Sequence, residues 1–271
     1  MTGYQPLSPA GVYAASMSRG TTRTIEAVHK TCRILDELYE REGAGVTRLA
    51  DALDLTKSSV HGHLATLEQQ EYVTQEADGS YRLSLRYLGM AEQVKSRVCD
   101  YDVLTAEVDR LAEASGEVAQ FATEEHGRLT YLYKSKGDDA VETRSRVGSR
   151  EYLHSTGLGK AILARLPDER VRALLERRGT PRRTPNTVTD VDDLLDELAE
   201  VRERGYAVDD EENIEGLRCV ATPVHGADGP VAGALSVTGP ASRMRGDRLR
   251  SELPDLLTQA ANVIEINCKF S

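Results

Sequence analysis

The sequence predicts an α+β protein in two folded parts: three helices and a β-hairpin over residues 21–84, and a larger α/β domain over residues 99–271, joined by a helix at 85–98. Three observations predict it. Apolar residues recur at helical spacing in three short stretches before residue 70. Asp78-Gly79 then separates two strand-like runs, a strong hairpin signal. Beyond residue 98, strand-length apolar runs are interspersed with helical segments, which predicts mainly antiparallel strands with helices packed on them. A chain of 271 residues is comfortable for two domains.

Residues 1–20 carry Gly, Pro, Ser and Ala with little charge and read as a flexible leader. A helical period starts near Thr22, with Ile25, Val28, Cys32, Leu35 and Leu38 or Tyr39 on one face, and Gly43 and Gly45 end it. A short helix follows over Val46–Leu53, with Leu49, Ala50 and Leu53 inward, and then the turn Asp54-Leu55-Thr56. A third helix spans about Lys57–Gln70, with Val60, Leu64 and Leu67 inward and Thr56 as N-cap. Tyr72–Gln75 and Tyr81–Ser84 form the hairpin. Three helices and a hairpin within about 65 residues is the layout of a winged helix-turn-helix.

The second part begins with a helix at about 101–115. Strands are predicted at Val118–Thr123, Leu129–Lys134 and Val141–Val147. Helices follow at about 156–165, 168–178 and 190–204, then strands at Arg218–His225 and Val231–Thr238, and a last helix at about 244–268.

Composition narrows the class. No stretch approaches the ~20 apolar residues of a membrane span, and no signal peptide opens the chain, which predicts a cytoplasmic protein. Cys32, Cys99, Cys219 and Cys268 are far apart and form no CxxC pair, so neither a disulfide framework nor a bound metal is expected. The net charge of −10 is unusual for a nucleic-acid binder, but it is uneven: −2 over residues 20–98 and −9 over 99–271. Of 34 basic residues only seven are Lys, which fits a high-salt cytoplasm and also a GC-rich genome.

With Val60, Leu64 and Leu67 inward, the third helix turns Ser58 and Gly62 outward, with Ser59 and His61 on the shoulders, Lys57 at the start and His63 nearer the core edge. Small polar groups at the start of such a helix suit base edges in a major groove, and Lys57 with the free N–H groups suits a phosphate. An ordinary solvated face is the alternative. His61 and His63, two apart, diverge on a helix and make a poor metal pair.

A two-residue turn at Asp228-Gly229 pairs Cys219 with Thr238 and Ala221 with Ser236. Cys219, Ala221, Ala234, Ser236 and Thr238 then share one face, and Val220, Val224, Leu235 and Val237 the other. Small residues with hydroxyls leave room for a ligand, or for a helix packed closely over them. Ser155-Thr156-Gly157-Leu158-Gly159 opens a helix whose unpaired N–H groups suit an anion, or simply a capping loop.

The segment Val46–Leu67 resembles the helix-turn-helix of the IclR family of transcription regulators. Four later segments, His154–Ala161, Arg204–Asn213, Gly216–Val224 and Leu235–Pro240, resemble that family's effector-binding domain in order and spacing. The resemblance covers about residues 21–268 and implies a GAF-like second domain. It also implies a homodimer through the N-terminal helices, often paired into a tetramer, binding double-stranded operator DNA. A small organic acid, keto acid or sugar acid would be the effector, acting on catabolic operons. It implies no cofactor and no enzymatic activity. It implies an effector site at Gly157, Leu158, Asp209, Cys219, Ser236 and Thr238, where Asp209 would accept from an effector hydroxyl. Gly62 departs from the family, which more often has a long side chain there. Cys219 as a nucleophile lacks a histidine partner by any sequence argument, and Cys219 as a redox sensor is a separate alternative.

Overall fold

The computed structural model describes residues 24–95, 97, 100–227 and 229–268. The leader expected at 1–20, Cys99 and Asp228 lie outside the described residues. The chain divides into two compact units, with the division at Val94/Lys95.

In the first unit, α1 (Glu26–Glu40), α2 (Val46–Leu53) and α3 (Lys57–Gln69) precede the hairpin β1 (Val73–Gln75) and β2 (Tyr81–Leu83). The tight turn between α2 and α3 rests on Asp54, which takes the left-handed conformation (φ 53°) tolerated best by Asn and Asp outside glycine. It lets Leu55 N–H return to the Ala50 carbonyl. Ile34, Leu38, Leu49, Leu53, Val60, Leu64, Leu67, Val73 and Tyr81 form the core. The stripe expected on α1 is corrected here. Ile34 and Leu38 are its buried residues, while Ile25, Val28 and Cys32 stay exposed. Helix α4 (Arg86–Lys95) follows the hairpin and buries no side chain.

The second unit opens with α5 (Tyr101–Ser115), capped by the Asp100 carboxylate, which accepts from the Asp102 and Val103 amides. Strands β3 (Val118–Glu125), β4 (Arg128–Lys136) and β5 (Arg150–Glu151) come next. They are followed by α6 (Gly157–Leu163), α7 (Asp168–Arg178) and α8 (Val191–Arg204), strands β6 (Ala207–Asp210), β7 (Leu217–His225) and β8 (Val231–Pro240), and α9 (Leu253–Cys268). A single π turn at Arg248–Glu252 leads into α9, so the regular helix starts later than the period suggests. The six strands form one sheet in the order β5-β4-β3-β8-β7-β6, antiparallel throughout.

The alternation of side chains gives the sheet two different faces. Val220, Val224, Leu235, Val237 and Phe121 pack under α5 and α9. Ala122, Ala207, Ala221 and Ala234 pack under α6, α7 and α8. The small residues on the second face let α6 come close: a Cβ on Gly157 would stand 3.1 Å from Cys219 Sγ and 3.5 Å from Ala221 Cβ. At this end of the face, smallness therefore serves helix packing.

Three expectations need correction. Residues 141–147 form no strand, although Val141, Thr143 and Ser145 do alternate inward; their polar atoms are held by side chains instead of a ladder. Strand β6 lies where the sequence predicts no strand, and it pairs with β7. The hairpin register is as expected, Cys219 with Thr238 and Ala221 with Ser236, but the loop is longer. Gly226 and Pro230 close it, and a bulge between Val224 and His225 compensates for the added residue.

Gly159 has no room for a side chain: a Cβ there would meet Leu153 O at 2.2 Å and Leu153 Cα at 2.5 Å. Gly159→Ala is expected to destabilise the second unit by at least about 2 kcal/mol, because rigid backbone must move. Gly62→Ala on α3 meets nothing within 4 Å and should stabilise by up to about 1 kcal/mol. Urea unfolding of both variants checks the contrast.

Candidate nucleic-acid and effector sites

Helix α3 presents two unlike faces. Val60, Leu64 and Leu67 are buried, and Lys57, Ser58, His61 and Gly62 are exposed. Ser59 is half-buried, and its amide donates to the Thr56 hydroxyl at 3.2 Å, the expected N-cap. His63 turns toward α1, where Nδ1 lies 2.9 Å from Thr31 Oγ1. A groove of about 540 Å³ runs between α1 and α3, and Val28, Thr31, Ser58, Ser59, Gly62 and His63 are among its walls. On the hairpin, Arg82 pairs with Glu76 at 2.6 Å, so part of the wing's positive charge is already compensated.

In the second unit, the predicted effector residues gather where α6 begins above β6, β7 and β8. Cys219 is paired with Thr238 on one side and Asp209 on the other, in one cross-strand row. Gly157 sits over Cys219, and Leu158, next in α6, is buried. Ser236 occupies the next row, between Gln120 of β3 and Ala221 of β7. Its Oγ is buried without a hydrogen bond of ordinary geometry. Buried hydroxyls are rarely left so, since each costs about 1–3 kcal/mol. The hydroxyl of Thr156 caps α6 by accepting from the Gly159 amide at 3.1 Å.

Asp209 is buried, and its Oδ1 accepts from the Glu212 amide at 2.8 Å and the Asn213 amide at 3.2 Å. Burial raises its carboxyl to about 7, against the pull of Lys160 and these amides. The Cys219 thiol is pushed up to about 12 by burial first and by Asp209 second, while the Thr238 and Ser236 hydroxyls oppose the shift. A buried, protonated thiol is a poor nucleophile and a poor redox sensor. Tyr131 of β4 is buried, its hydroxyl held in the neutral form by burial and by the acidic groups Glu151, Cys219 and Asp209.

The residues that the sequence did not single out lie beneath this row. Lys160 of α6 is completely buried, and its ammonium donates to Glu197 of α8 at 2.6 Å and to Glu212 at 2.5 Å. Burial alone would lower the lysine pKa; the two carboxylates outweigh it and raise it. The other Glu212 oxygen, Oε2, is buried without a partner, and burial raises that carboxyl too. Thr184 and Thr187 bond the Glu212 carbonyl at 3.2 and 2.7 Å and hold the loop after β6 in place. Among the described residues no group of His, Cys, Asp and Glu is arranged to hold a metal. No described helix is long and apolar enough to cross a membrane.

The Asp209 shift carries a sign. A carboxyl with a raised folded pKa binds a proton that the unfolded chain gives up, so its contribution is fully present below pH 3.8 and is lost as pH rises through about 7. Asp209→Asn keeps an oxygen for the two amides and removes the titration. Its melting temperature relative to the parent is expected to rise from about pH 4 to about pH 7 and level off above, and an unchanged difference over that range would refute the shift.

The model of the bacterial transcriptional regulator IclR C-terminal domain matches residues 101–266, and that of the IclR helix-turn-helix domain matches residues 27–77. A probable HTH-type transcriptional regulator ArcR of Halobacterium salinarum is 36% identical, over 92% of this chain and 96% of its own. The HTH-type transcriptional regulator KdgR of Escherichia coli is 31% identical, over 89% and 92%. The crystal structure of an IclR homolog from Microbacterium hydrocarbonoxydans, complexed with 4-hydroxybenzoate, superposes with a TM-score of 0.78 at 23% identity, over 91% of this chain and all of that one. The chain belongs to the IclR family: it is a DNA-binding transcription regulator with a helix-turn-helix domain and an effector domain, and not an enzyme.

Proposed function

We propose that this regulator reads its operator with Lys57, Ser58, Ser59, His61 and Gly62 at the start of α3, His63 holding the helix against α1. The observation that carries this is the exposure of Ser58, His61 and Gly62 opposite the buried Val60, Leu64 and Leu67. Lys57 would meet a phosphate, and Ser58 and His61 the base edges. An exposed Gly62 that nothing inside the protein requires fits a close approach of the DNA backbone.

The effector site proposed is Gly157, Leu158, Asp209, Cys219, Ser236 and Thr238, in a GAF-like domain. The effector is a small organic acid or sugar acid of a catabolic pathway. The buried Ser236 hydroxyl, with no hydrogen bond of ordinary geometry, supports it. So does Asp209, which near neutral pH can donate to an acid or accept from a hydroxyl. The 4-hydroxybenzoate bound to the homolog from M. hydrocarbonoxydans is an acid with a hydroxyl. Effector and operator are then coupled, each changing the other's affinity by the same factor.

Assembly is proposed through α1 and its N-cap, where Val28 and Ile25 are 55% and 69% exposed. Such a face buries itself against a second copy, giving a homodimer that pairs further into a tetramer. The site of action is the cytoplasm. High salt there is supported by the acidic, Arg-rich composition and by the Halobacterium relative.

Gel-shift titration tests the DNA reading. Lys57→Ala is expected to weaken all sequences alike and lower the salt slope by about one, whereas Ser58→Ala and His61→Ala cost about 1–3 kcal/mol on the operator only. Operator affinity unchanged in both of the latter sinks the reading. Ile25→Asp with Val28→Asp should yield monomers in sedimentation. Loss of folding in molar KCl would remove the high-salt proposal.

A further inference from the structure

We propose that Lys134 recognises the effector's acidic group, and that the Thr143–Ser145 stretch it now holds is a lid which the acid displaces. This rests on the effector-site reading above and adds to it the residue that selects an acid over a neutral compound.

The placement comes from register. Lys134 of β4 is the direct partner of Gln120 in β3, and Gln120 is the direct partner of Ser236 in β8. Direct partners on neighbouring strands share a face, so Lys134, Gln120 and Ser236 form one row on the side of the sheet that carries Asp209 and Cys219. Strand spacing puts the backbones of Lys134 and Ser236 about 10 Å apart, and a lysine side chain spans much of that.

The charge on this row is uncompensated. Lys134 Nζ donates to Thr143 O at 3.1 Å, Thr143 Oγ1 at 2.7 Å and Ser145 O at 2.7 Å. All three are neutral oxygens. Among the described residues no carboxylate stands within 4 Å of it, whereas Lys136, two residues on, pairs with Glu142. The ammonium is half-buried, and burial and the charge of Lys136 lower its pKa, with Glu142 opposing from farther away. A carboxylate at the same nitrogen would replace neutral acceptors with charge-assisted bonds, roughly twice as strong. The buried Ser236 hydroxyl, met by the weakly bonding Cys219 thiol and by no hydrogen bond of ordinary geometry, offers that carboxylate a second donor in the same row.

The lid is held by the same groups that would bind the acid. Gln120 Nε2 donates to Ser145 Oγ at 2.6 Å, and Ser145 Oγ is 3.0 Å from Thr143 Oγ1. Residues 141–147 pair with no strand, so releasing Lys134 and Gln120 undoes the side-chain bonds that hold Thr143 and Ser145 without breaking a ladder, while Glu142 stays paired with Lys136. An acid that takes Lys134 therefore loosens Thr143 and Ser145.

The test uses the full chain and calorimetric titration with gluconate, lactate, pyruvate and 4-hydroxybenzoate, each beside its amide. Lys134→Met is expected to weaken the best acid by about tenfold or more and leave the amide unchanged; Lys134→Arg keeps the charge and should stay within about threefold. Hydrogen exchange of residues 141–148 should rise when the acid binds the parent and be high in ligand-free Lys134→Met. Melting curves of both variants guard against a folding defect. Should Lys134→Met bind the acid as tightly as the parent while Asp209→Asn weakens it, the effector site stands and the role of Lys134 falls. Should no acid in the set bind the parent, both fall.

Discussion

The close approach of α6 to the central strands governs the second unit. Gly157 stands against Cys219 and Ala221, and Gly159 leaves no space beside the Leu153 backbone. A side chain at Gly159 would have to move the Leu153 backbone, and one at Gly157 would press on the Cys219 thiol. The alanines on β3, β6, β7 and β8 follow from this, as does the burial of every residue of α6. One of those residues is a lysine. Carried inside by its helix, Lys160 needs two carboxylates, and Glu197 and Glu212 supply them from α8 and from the loop after β6. Breaking such a cluster strands a buried charge, which costs about 3–5 kcal/mol. The ion cluster thus fixes the loop that delivers the Glu212 and Asn213 amides to Asp209, and so determines the state of a carboxyl in the proposed site.

A second pair of constraints closes the opposite side of the unit. Glu117, just before β3, is buried and gripped by Arg243 through two bonds of 2.7 Å. Its carboxylate lies where a Cβ on residue 239 would sit, which requires Gly239. The end of β8 is therefore anchored to the end of α5 and the start of β3, and Thr238 is fixed one residue away from that anchor.

Much of this was legible in the residues, where local chemistry decided it. The hairpin of β7 and β8 is readable because alternation and a turn signal agree, and the register survives a longer loop through a compensating bulge. Helices α2 and α5 match their periods to the residue because Gly45 and Asp100 mark their starts. The failures are non-local. Lys160 sits in an apolar run whose helix face gives no hint that two distant glutamates converge on it. Strand β6 is four residues long and ends in two aspartates, so it looks like solvated acid; pairing with β7 and two backbone amides makes Asp209 a buried group. Residues 141–147 alternate like a strand, but their inward atoms find Lys134 and Gln120 instead of a backbone. On α1, periodicity located an apolar stripe and could not say that half of it faces away from its own core.

Electrostatics then links the two proposed sites. A domain of net charge −9 repels an anionic ligand, and a unit of net −2 repels DNA, if long-range fields decide. They do not decide at high ionic strength. The Debye length falls from about 10 Å at 0.1 M to about 3 Å at 1 M, shorter than the distance from a bound carboxylate to most of the surface acids. Counterion release also weakens as salt rises, which removes the nonspecific part of DNA affinity. What remains in both proposed sites is contact chemistry: serine and histidine edges on α3, and a half-buried ammonium in the same cross-strand row as a buried hydroxyl. In concentrated salt, the setting proposed above, an acidic regulator would depend on a few local cations and hydroxyls at the proposed sites.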